Sequence, residues 1–411
     1  RGSVPVSTPR SALISGASIA GPTLAYWLRR HGWSVTVVER YGIIRGGGYP
    51  IDIRGTALEV MERMGALDRV RQAHIDTQKA TFLSPRGEPL GSIDPAMATS
   101  GISGRDFELP RGSLAEILWD LTKDDVEYVF NDSVTSIQQG PDRVDVEFER
   151  TPPRSFDFVF GADGLHSNVR RLVFGPESEF DTYLGWCFAG FTYPNRLGLG
   201  REALMFNVPG RVGSLYAVGD NPERVHAFLV YETERPADSV LRDAEEMRRR
   251  AIEAFAGIDV WEIQGMVATL AEADDAYCDS VSQIHMDSWS SGRVALVGDA
   301  AHATSFLSGQ GSSVSLVTAY VLANELGATE DYAAAFQRWQ ELTREFAKVN
   351  QQLADGGTMV CVSSARSLRI RNLALRRVVP VLARLGLMRM LGRQQFKASS
   401  AMTLPADSLA G

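Results

Sequence analysis

Apolar residues in this chain recur in short runs separated by glycine, proline and polar turns, and their spacing predicts alternating strands and helices. A short apolar strand at residues 11–15 precedes an amphipathic helix at 19–31, and a β-branched strand follows at 34–38. This order is typical of a βαβ unit. The short strand-like runs at 157–160 and 294–297 show the same pattern, so we expect them in the same domain as this unit.

From about Tyr183 the pattern changes, because longer runs rich in aromatic and β-branched residues alternate with turns of Gly, Pro, Asn and Asp. Such runs predict an antiparallel sheet. They lie at residues 186–193, 203–208, 213–218 and 225–231. One amphipathic helix is expected at 237–256, and the chain after Thr329 is expected to be nearly all helical.

These patterns predict the α/β class with α+β elements: a Rossmann-like dinucleotide-binding domain, a second domain built on the antiparallel sheet, and a C-terminal helical segment. We expect the first domain to be discontinuous and the C-terminal helices to bridge the two domains. The first domain is assigned residues 10–80, 105–180 and 285–328, the second 81–104 and 181–284, and the bridging helices 329–411.

Composition and charge narrow the function by exclusion. The net charge of −8 over 411 residues argues against a nucleic acid partner. Three widely spaced cysteines without a C-x-x-C pair suit a reducing compartment, and with no H-E-x-x-H sequence we expect no metal site. No apolar run reaches the roughly 18 residues of a membrane span. The polar residues 1–10 are not typical of a secretory signal, so a cytoplasmic location is expected.

The first chemical motif is Gly16-Ala-Ser-Ile-Ala-Gly21, which lies between the first strand and the first helix. Gly16 permits a tight turn, Gly21 permits close helix–sheet packing, and the helix N-terminus offers N–H groups to a pyrophosphate. Ser18 replaces the usual middle glycine. Glu39, at the end of the second strand, is placed to accept hydrogen bonds from an adenosine ribose. The alternative is a helix N-terminus without a ligand, but this context favours a nucleotide.

The second motif is Gly161-Ala-Asp-Gly164, followed by Ser167 and Arg170. It comes directly after a strand. Asp163, Ser167 and Arg170 form either a small polar nest or a helix cap with Arg170 paired to a surface acid. The residues alone leave both interpretations open.

The third motif is Gly298-Asp-Ala-Ala-His302, which precedes Ser308-Gly-Gln-Gly311 and a helix-like run. Asp299 is suited to accept hydrogen bonds from a sugar-alcohol chain. The turn from Gly309 to Gly311 directs amides toward a ligand above the next helix, where the helix dipole favours negative charge. The alternative is an ordinary loop that Asp299 only caps. We expect His302 to be a packed or exposed loop histidine.

Together, in this order, the three motifs resemble the FAD fingerprints of the group A flavoprotein aromatic hydroxylases, which have the p-hydroxybenzoate hydroxylase fold. The resemblance spans roughly residues 11–352, and the stretch 46–54 also matches. The sequence is most similar to the branch that hydroxylates or degrades polyketides, including the tetracycline-inactivating monooxygenases. Residues that would bind FAD are Gly16, Ser18, Ile19, Ala20, Gly21, Glu39, Arg40, Arg45, Arg111, Asp163, Asp299, Gly309 and Gly311.

The resemblance implies an FAD-dependent monooxygenase that uses NAD(P)H, bound transiently, and O2 to hydroxylate an aromatic or polycyclic small molecule through a flavin C4a-hydroperoxide. Because the cofactor carries the chemistry, we assign no catalytic residue. A flavin oxidase or Baeyer–Villiger-type oxygenase would use the same site, and a non-catalytic polyketide-binding homologue is a further alternative. The expected assembly is a monomer or a homodimer.

Phe306 departs from the family pattern, which usually has proline in this loop over the reactive edge of the flavin. Proline fixes φ and removes a donor, whereas phenylalanine adds bulk and an N–H group. Substrate-contacting aromatic residues are expected on one face of the antiparallel sheet, although an error of one residue reverses the face. The candidates are Phe188, Phe206, Tyr216, Phe228 and Phe306.

The segment 366–397 contains nine basic residues and no acidic residue. One interpretation is a helix that lies on a membrane surface. The other is a long helix that bridges the two domains with its arginines outward. We favour the bridging helix because Pro380 and Gly386 interrupt a continuous amphipathic pattern.

Overall fold

The computed structural model describes residues 9–44, 48–95, 106–219, 221–354, 360–385, 387 and 393–409. It confirms a mixed α/β fold with one parallel and one largely antiparallel sheet. The division of the chain into cofactor-binding and substrate domains stays a prediction. No helix among the described residues is long and apolar enough to cross a bilayer.

The strands alternate between buried and exposed positions or are buried on both faces, according to the sheet that contains them. In chain order they are β1 (Ser11–Ser15), β2 (Ser34–Glu39), β3 (Pro50–Arg54), β4 (Lys79–Leu83), β5 (Pro89–Ile93), β6 (Asp106–Pro110), β7 (Glu127–Phe130), β8 (Val134–Gln139), β9 (Val144–Phe148), β10 (Arg154–Phe156), β11 (Phe158–Gly161), β12 (Asp181–Pro194), β13 (Glu202–Val208), β14 (Arg211–Ala217), β15 (Arg224–Glu232), β16 (Tyr277–Ile284), β17 (Ser290–Ser291) and β18 (Val294–Leu296).

The α-helices cover the parallel sheet and form most of the C-terminal part. In chain order they are α1 (Ala20–Arg30), α2 (Thr56–Arg63), α3 (Leu67–Gln72), α4 (Arg111–Asp120), α5 (Asn168–Val173), α6 (Asp238–Leu241), α7 (Ala244–Ala254), α8 (Ile263–Glu272), α9 (Asp299–His302), α10 (Gly311–Ala328), α11 (Tyr332–Gln351), α12 (Ala365–Arg377), α13 (Val379–Arg384) and α14 (Arg393–Ser399). Short 3₁₀ turns lie at Glu177–Glu179 and Phe306–Ser308.

The parallel sheet has the strand order β17-β18-β11-β1-β2-β7, with only β17 antiparallel to its neighbour. Its central strands are completely buried, as expected for strands with helices on both faces. Ser15 of β1 pairs with Gly161 of β11, and Gly161 pairs with Leu296 of β18. The three strands therefore end at the same edge. In such sheets ligands bind outside the carboxyl ends of the strands.

The second large sheet has the order β16-β12-β15-β14-β13-β4-β5, and only β4 and β13 pair in parallel. Side chains of alternate residues lie on opposite faces. One face packs on α7 and α8 around Phe191, Phe255 and Met266. The other faces the loops of the parallel sheet through Phe188 and Phe228. Two smaller sheets, β8-β9-β10 and the ribbon β3-β6, complete the β-structure of the described residues.

The predicted single helix at 237–256 is wrong, because the structure has two helices, α6 and α7, in this stretch. Asp243 separates them. Its carboxylate accepts hydrogen bonds from the backbone N–H groups of Glu245 and Glu246 at 3.1 Å. An aspartate that bonds to the amides two and three residues ahead favours a new helix start over helix continuation.

The C-terminal helices contact both sheets. Arg371 of α12 donates a hydrogen bond to Asn207 of β13 at 2.8 Å, and Leu375 of α12 packs against Gly91 of β5. Farther along, Ala398 of α14 accepts a hydrogen bond at 3.0 Å from Asn350 of α11. The tail thus runs from the edge of the antiparallel sheet to the helices over the parallel sheet.

Candidate active site

The three sequence motifs meet at the carboxyl edge of the parallel sheet. A Cβ on Gly16 would lie 2.3 Å from the carbonyl oxygen of Ala162, so the first and second motifs touch. A Cβ on Gly298 would lie 2.8 Å from the Cβ of Ala20, so the third motif touches the first. Such short distances leave no space for a larger residue at either glycine. Three loops that are distant in sequence therefore meet at this edge of the sheet, and we call the surface that they share the groove.

The first turn of α1 is open to a ligand. No side chain caps its N-terminus and no acidic residue lies in its first turn. Glu39 instead fixes the preceding loop, since its carboxylate accepts a hydrogen bond from the backbone N–H of Ala17 at 2.9 Å and from that of Tyr41 at 3.0 Å. Each carboxylate oxygen has a second lone pair, so Glu39 also retains capacity to accept from a ribose hydroxyl.

Arg111 lies beside this turn, at the start of α4. Its guanidinium donates a hydrogen bond to the Ser18 hydroxyl at 2.5 Å. Asp299 is accessible to solvent, yet surrounding protein desolvates its carboxyl and raises its pKa, an effect that Arg111 opposes. An accessible but desolvated carboxylate lies in a recess rather than on an open surface. Arg111 and Asp299 place opposite charges along one groove.

Asp163, for which cofactor binding stays a prediction, is held by hydrogen bonds within the second motif. One oxygen accepts from the Ser167 hydroxyl, and the other from the backbone N–H groups of Asn168 and Val169 at 2.9 and 3.0 Å. Ser167 in turn accepts from the N–H of Arg170 at 3.0 Å. Asp163 and Ser167 thus cap α5, and the helix-cap interpretation of the second motif is confirmed.

The second part of that interpretation, a surface partner for Arg170, is wrong. Arg170 is 1% exposed and pairs with buried Glu177 at 3.0 Å. It also donates to the carbonyl oxygen of Ala300 at 2.9 Å, which joins the second motif to the third. Removing one partner of a buried ion pair typically costs about 3–5 kcal/mol. The pair therefore stabilises the junction between the two loops.

Sequence reasoning missed the continuation of this network into the antiparallel sheet. His166 contacts Glu177 through Nδ1 at 2.8 Å and Asp279 of β16 through Nε2 at 2.7 Å. Although burial opposes the charged form, Asp279 and Glu177 together raise the pKa of His166 to about 10. His166 is therefore a cation at neutral pH that links the parallel sheet to β16. Histidine in a loop carries no local signal for these two distant carboxylates.

Aromatic side chains line the face of the antiparallel sheet nearest the groove. Phe306 stacks on Phe188, with ring centroids 4.5 Å apart and planes inclined by 14°. Phe228 lies 5.1 Å from Phe306, and Tyr49 lies 5.8 Å from Phe228. Tyr216 meets the edge of Phe228 at 5.8 Å. The structure therefore brings four of the five predicted aromatic candidates together.

The fifth candidate, Phe206, is corrected. It is completely buried on the opposite face of the sheet, where it stacks on Trp261 at 5.9 Å. Adjacent residues of a strand point to opposite faces, so Phe206 of β13 belongs to the core beneath α7 and α8. It cannot contact a substrate in the groove.

His226 is a polar residue on the groove-facing side that the sequence analysis did not select. It lies two residues before Phe228 on β15, and the two rings are 4.7 Å apart. Its Nε2 atom is buried and has no hydrogen-bond partner among the described residues. Burial lowers the pKa of His226 to about 4, so the imidazole is neutral at physiological pH. Residues two apart on a strand lie on the same face, so the spacing from Phe228 was the signal that could have identified His226.

A pair of carboxylates lies on the two-stranded β3–β6 ribbon. Asp52 of β3 and Glu108 of β6 are directly paired across the two strands. Burial and the Asp52 charge raise the pKa of Glu108 to about 7, and burial also raises the pKa of Asp52. Arg54 lies 3.0 Å from Asp52, and a Cβ on Gly309 would lie 3.3 Å from the same carboxylate. The pair is therefore close to the glycine turn of the third motif.

Comparison with known proteins shows which cofactor the family of this chain binds. The family described as "FAD binding domain" matches residues 10–356. The chain belongs to this family. An uncharacterized protein of Mycobacterium tuberculosis is 43% identical over 350 residues, which cover 84% of this chain and 92% of that protein.

Two further relatives carry functional names. A flavin-dependent monooxygenase of Legionella longbeachae is 35% identical over 341 residues, 83% of this chain and 86% of that protein. The crystal structure of tetracycline destructase Tet(51) superposes with a TM-score of 0.80 at 33% identity and covers 97% of this chain and 100% of that one. This flavoprotein is therefore an FAD-dependent monooxygenase, with the NAD(P)H and O2 that its family uses. The predicted resemblance to aromatic hydroxylases is confirmed.

The residues present fit FAD. The uncapped start of α1, with Arg111 beside it, suits a pyrophosphate. The start of α10 likewise has no side-chain cap and no acid in its first turn, and Asp299 lies next to Gly311. Arg40 is at the surface, where its guanidinium lies over Tyr41 at 4.8 Å. The predicted contact of Arg45 lies outside the described residues.

Proposed function

We propose that this flavoprotein hydroxylates a flat, polycyclic, polyketide-like small molecule. The observation that carries the proposal is the groove-facing side of the antiparallel sheet, where stacked aromatic rings surround one neutral imidazole. Similarity to Tet(51), whose name describes it as a tetracycline destructase, supports the same substrate class. Three free cysteines among the described residues suit a reducing compartment, so we also propose a cytoplasmic location.

Ring stacking and burial explain the preference for a flat molecule. Phe188, Phe228 and Phe306 offer π-faces and edges within 4.5–6.4 Å of one another. Aromatic contacts contribute about 0.5–1.5 kcal/mol each beyond their buried area. A polycyclic substrate makes several such contacts at once, whereas an acyclic substrate makes few. The aromatic surface therefore selects shape and does not specify a chemical group.

His226 would distinguish substrates by whether they carry a polar group that bonds to its imidazole. The neutral ring presents Nε2, as donor or acceptor according to tautomer, to a substrate oxygen. A buried polar atom without a partner costs about 1–3 kcal/mol, so a substrate that satisfies it gains affinity over one that does not. A Cβ on Gly190 of β12 would lie 3.1 Å from Nε2, so a larger residue at this position would crowd the imidazole. His226 thus recognises an oxygenated ring.

We assign cofactor binding to the residues that surround the groove. They are Gly16, Ser18, Ile19, Ala20, Gly21, Glu39, Arg40, Arg111, Asp163, Asp299, Gly309 and Gly311. Bound FAD would supply the redox chemistry that transfers one oxygen atom of O2 to the substrate. The backbone amides at the start of α10 would favour negative charge on a group held above them. Phe306, in the intervening turn, excludes water from the substrate side.

The test is NAD(P)H consumption by the purified yellow protein against a panel of polycyclic phenols, with product masses and labelled O2. The expected result is substrate-stimulated NAD(P)H oxidation and a product that gains one labelled oxygen atom. His226→Phe should raise KM roughly tenfold for oxygenated substrates, and less for a congener that lacks the oxygen. A product without labelled oxygen would indicate a flavin oxidase. Ring insertion of the oxygen would indicate a Baeyer–Villiger-type enzyme.

A further inference from the structure

Helices α12 and α13 expose an unusual outer surface. Ile370 is 62% exposed and Leu373 is 61% exposed, although aliphatic side chains of this size are normally buried. Val378, Val381 and Leu385 continue the exposed apolar surface along α13. We call the outward-facing side chains of α12 and α13, with Leu385, the outer tail surface. Five exposed large aliphatic side chains on one short segment need a partner or a function.

The inner side of the same helix already has its packing partners. Leu368 and Leu375 are buried, and Arg371 bonds to Asn207 while its guanidinium lies over Phe82 at 5.2 Å. These contacts hold α12 on the β4–β5–β13 edge of the antiparallel sheet. The fold therefore does not need the outer tail surface for its own packing. The bridging role expected for the tail and a surface-binding role are compatible, because they use opposite sides of the helix.

Positive charge is interleaved with the exposed apolar residues. Five arginines of these two helices are also exposed; they are Arg366, Arg369, Arg376, Arg377 and Arg384. Within the described parts of the chain, none of these arginines has an acidic partner. The segment 366–397 has no acidic residue at all, whereas the whole chain carries a net charge of −8. The outer tail surface is thus a local positive area on an acidic protein.

We propose that the outer tail surface binds an anionic lipid bilayer. A helix that lies in a bilayer interface combines large apolar side chains with arginines whose aliphatic stems also bury while their charged ends reach the phosphates. Each arginine near an anionic surface adds attraction that salt weakens. The repulsion expected between a bilayer and a protein of net charge −8 is overcome only where the positive residues are concentrated.

Membrane contact at this position would bring the enzyme close to apolar molecules dissolved in the bilayer. The helix that binds lipid packs directly on β5, at the edge of the sheet whose other strands carry the aromatic groove. Apolar polycyclic molecules partition into bilayers, so an enzyme on the surface meets them at a raised local concentration. The proposal does not depend on the identity of the substrate, because lipid binding is measured without turnover.

The experiment is co-sedimentation of the full flavoprotein with vesicles of phosphatidylglycerol and phosphatidylcholine, compared with vesicles of phosphatidylcholine alone. We expect binding to the anionic vesicles only, with release at high salt. Arg376→Gln/Arg377→Gln should weaken binding roughly tenfold or more, and Ile370→Ser/Leu373→Ser by a similar factor. The matched controls are Arg242→Gln/Lys348→Gln, which removes two exposed charges elsewhere, and Leu197→Ser, at an exposed leucine outside the tail.

All four side chains in the tail variants are exposed, so these variants should retain bound FAD and the wild-type melting temperature. Absence of binding to anionic vesicles would overturn the proposal. Equal loss of binding in the Arg242→Gln/Lys348→Gln control would also overturn it, because net charge and not the outer tail surface would then decide. Sedimentation equilibrium without lipid adds a separate check. A dimer that dissociates in Ile370→Ser/Leu373→Ser would assign the surface to a second copy of this chain instead.

Discussion

The two walls of the groove are built in different ways. On the side of the parallel sheet, the loops after β1, β11 and β18 present backbone amides, and glycines allow the loops to touch. On the side of the antiparallel sheet, ring and imidazole side chains from three strands define the surface. The first wall is suited to a constant ligand, FAD. The second, which we propose to bind the substrate, can vary in its side chains while its backbone stays the same.

The difference between the two walls determines which substitutions each wall tolerates. A backbone wall fails when a side chain is added, because the loops have no space between them. A side-chain wall fails when a ring on the groove face is removed, but it is indifferent to changes on the far face. Substitutions matched within each wall therefore test the distinction directly.

The largest effect is expected for Gly16→Ala. Gly16 has φ +108°, and a Cβ there would lie 2.3 Å from the Ala162 oxygen. Separating the loops should lower FAD affinity roughly a hundredfold, since about 3 kcal/mol of strain corresponds to that factor. Gly32→Ala is the control, because Gly32 has φ +82° with nothing within 4 Å. Fluorescence titration of FAD measures both; equal affinities in the two variants would contradict the role of the contact.

These glycine positions were predictable from the sequence because a strand, a tight turn and a helix must follow one another locally. Ser15, Gly161 and Leu296 end in register, so three local patterns were sufficient to locate one groove. The hydrogen-bond partners of Arg170 and His166 were not predictable. Their partners Glu177, Ala300 and Asp279 come from other elements, and only the fold brings them together.

The next largest effect compares the two faces of the antiparallel sheet. Phe228→Leu removes a ring from the groove face, and Phe206→Leu removes one from the far face. Both side chains are buried, so each substitution should lower the free energy of unfolding by about 1–2 kcal/mol. Only Phe228→Leu should raise KM, by roughly tenfold. Steady-state kinetics and urea unfolding separate the effects, and a raised KM in Phe206→Leu would contradict the assignment of faces.

A single sequence does not determine on which face of the sheet an aromatic side chain lies. Runs of aromatic residues indicated the strands, but a shift of one residue exchanges the two faces. Phe206 was placed on the wrong face for this reason. Asp52 and Glu108 present the same difficulty in another form, because neither position alone shows that the two are cross-strand partners.

Phe306→Pro should have a moderate effect on catalysis. The residue begins a 3₁₀ turn, and the preceding Ser305 has φ 78° and ψ 154°, of which only the ψ value is usual before a proline. The substitution therefore removes the ring stacked on Phe188 and also strains the backbone of this turn. We expect a few-fold lower ratio of hydroxylated product to NAD(P)H consumed, because water gains access to the groove. Phe306→Leu keeps an apolar side chain and should be closer to wild type. Unchanged coupling and turnover in Phe306→Pro would refute the role of this ring.

The smallest effect on activity is expected at the Asp52–Glu108 pair, which governs how stability depends on pH. The pKa of Glu108 is raised from 4.5 to about 7, so between these values the folded protein holds a proton that the unfolded chain releases. The free energy of unfolding of the wild type should therefore fall as pH rises through this window. Glu108→Gln removes this ionisation while its amide oxygen can still accept the hydrogen bond from Thr77. It should be more stable than wild type by about 1–3 kcal/mol near pH 8, with little difference near pH 4.

The control for this prediction is Glu127, a carboxylate whose pKa is shifted in the opposite direction. Arg154 lowers the pKa of Glu127, so the stability that Glu127 contributes is fully present above its unfolded pKa and is lost as pH falls. Glu127→Gln should therefore lose a small amount of stability at neutral pH. Urea unfolding of both variants between about pH 4 and about pH 8 gives the two slopes. A Glu108→Gln variant that loses stability at high pH, as Glu127→Gln does, would show that Glu108 is ionised and well paired. The wall of the groove beside Gly309 would then be anionic at neutral pH, which opposes negative charge on a bound flavin.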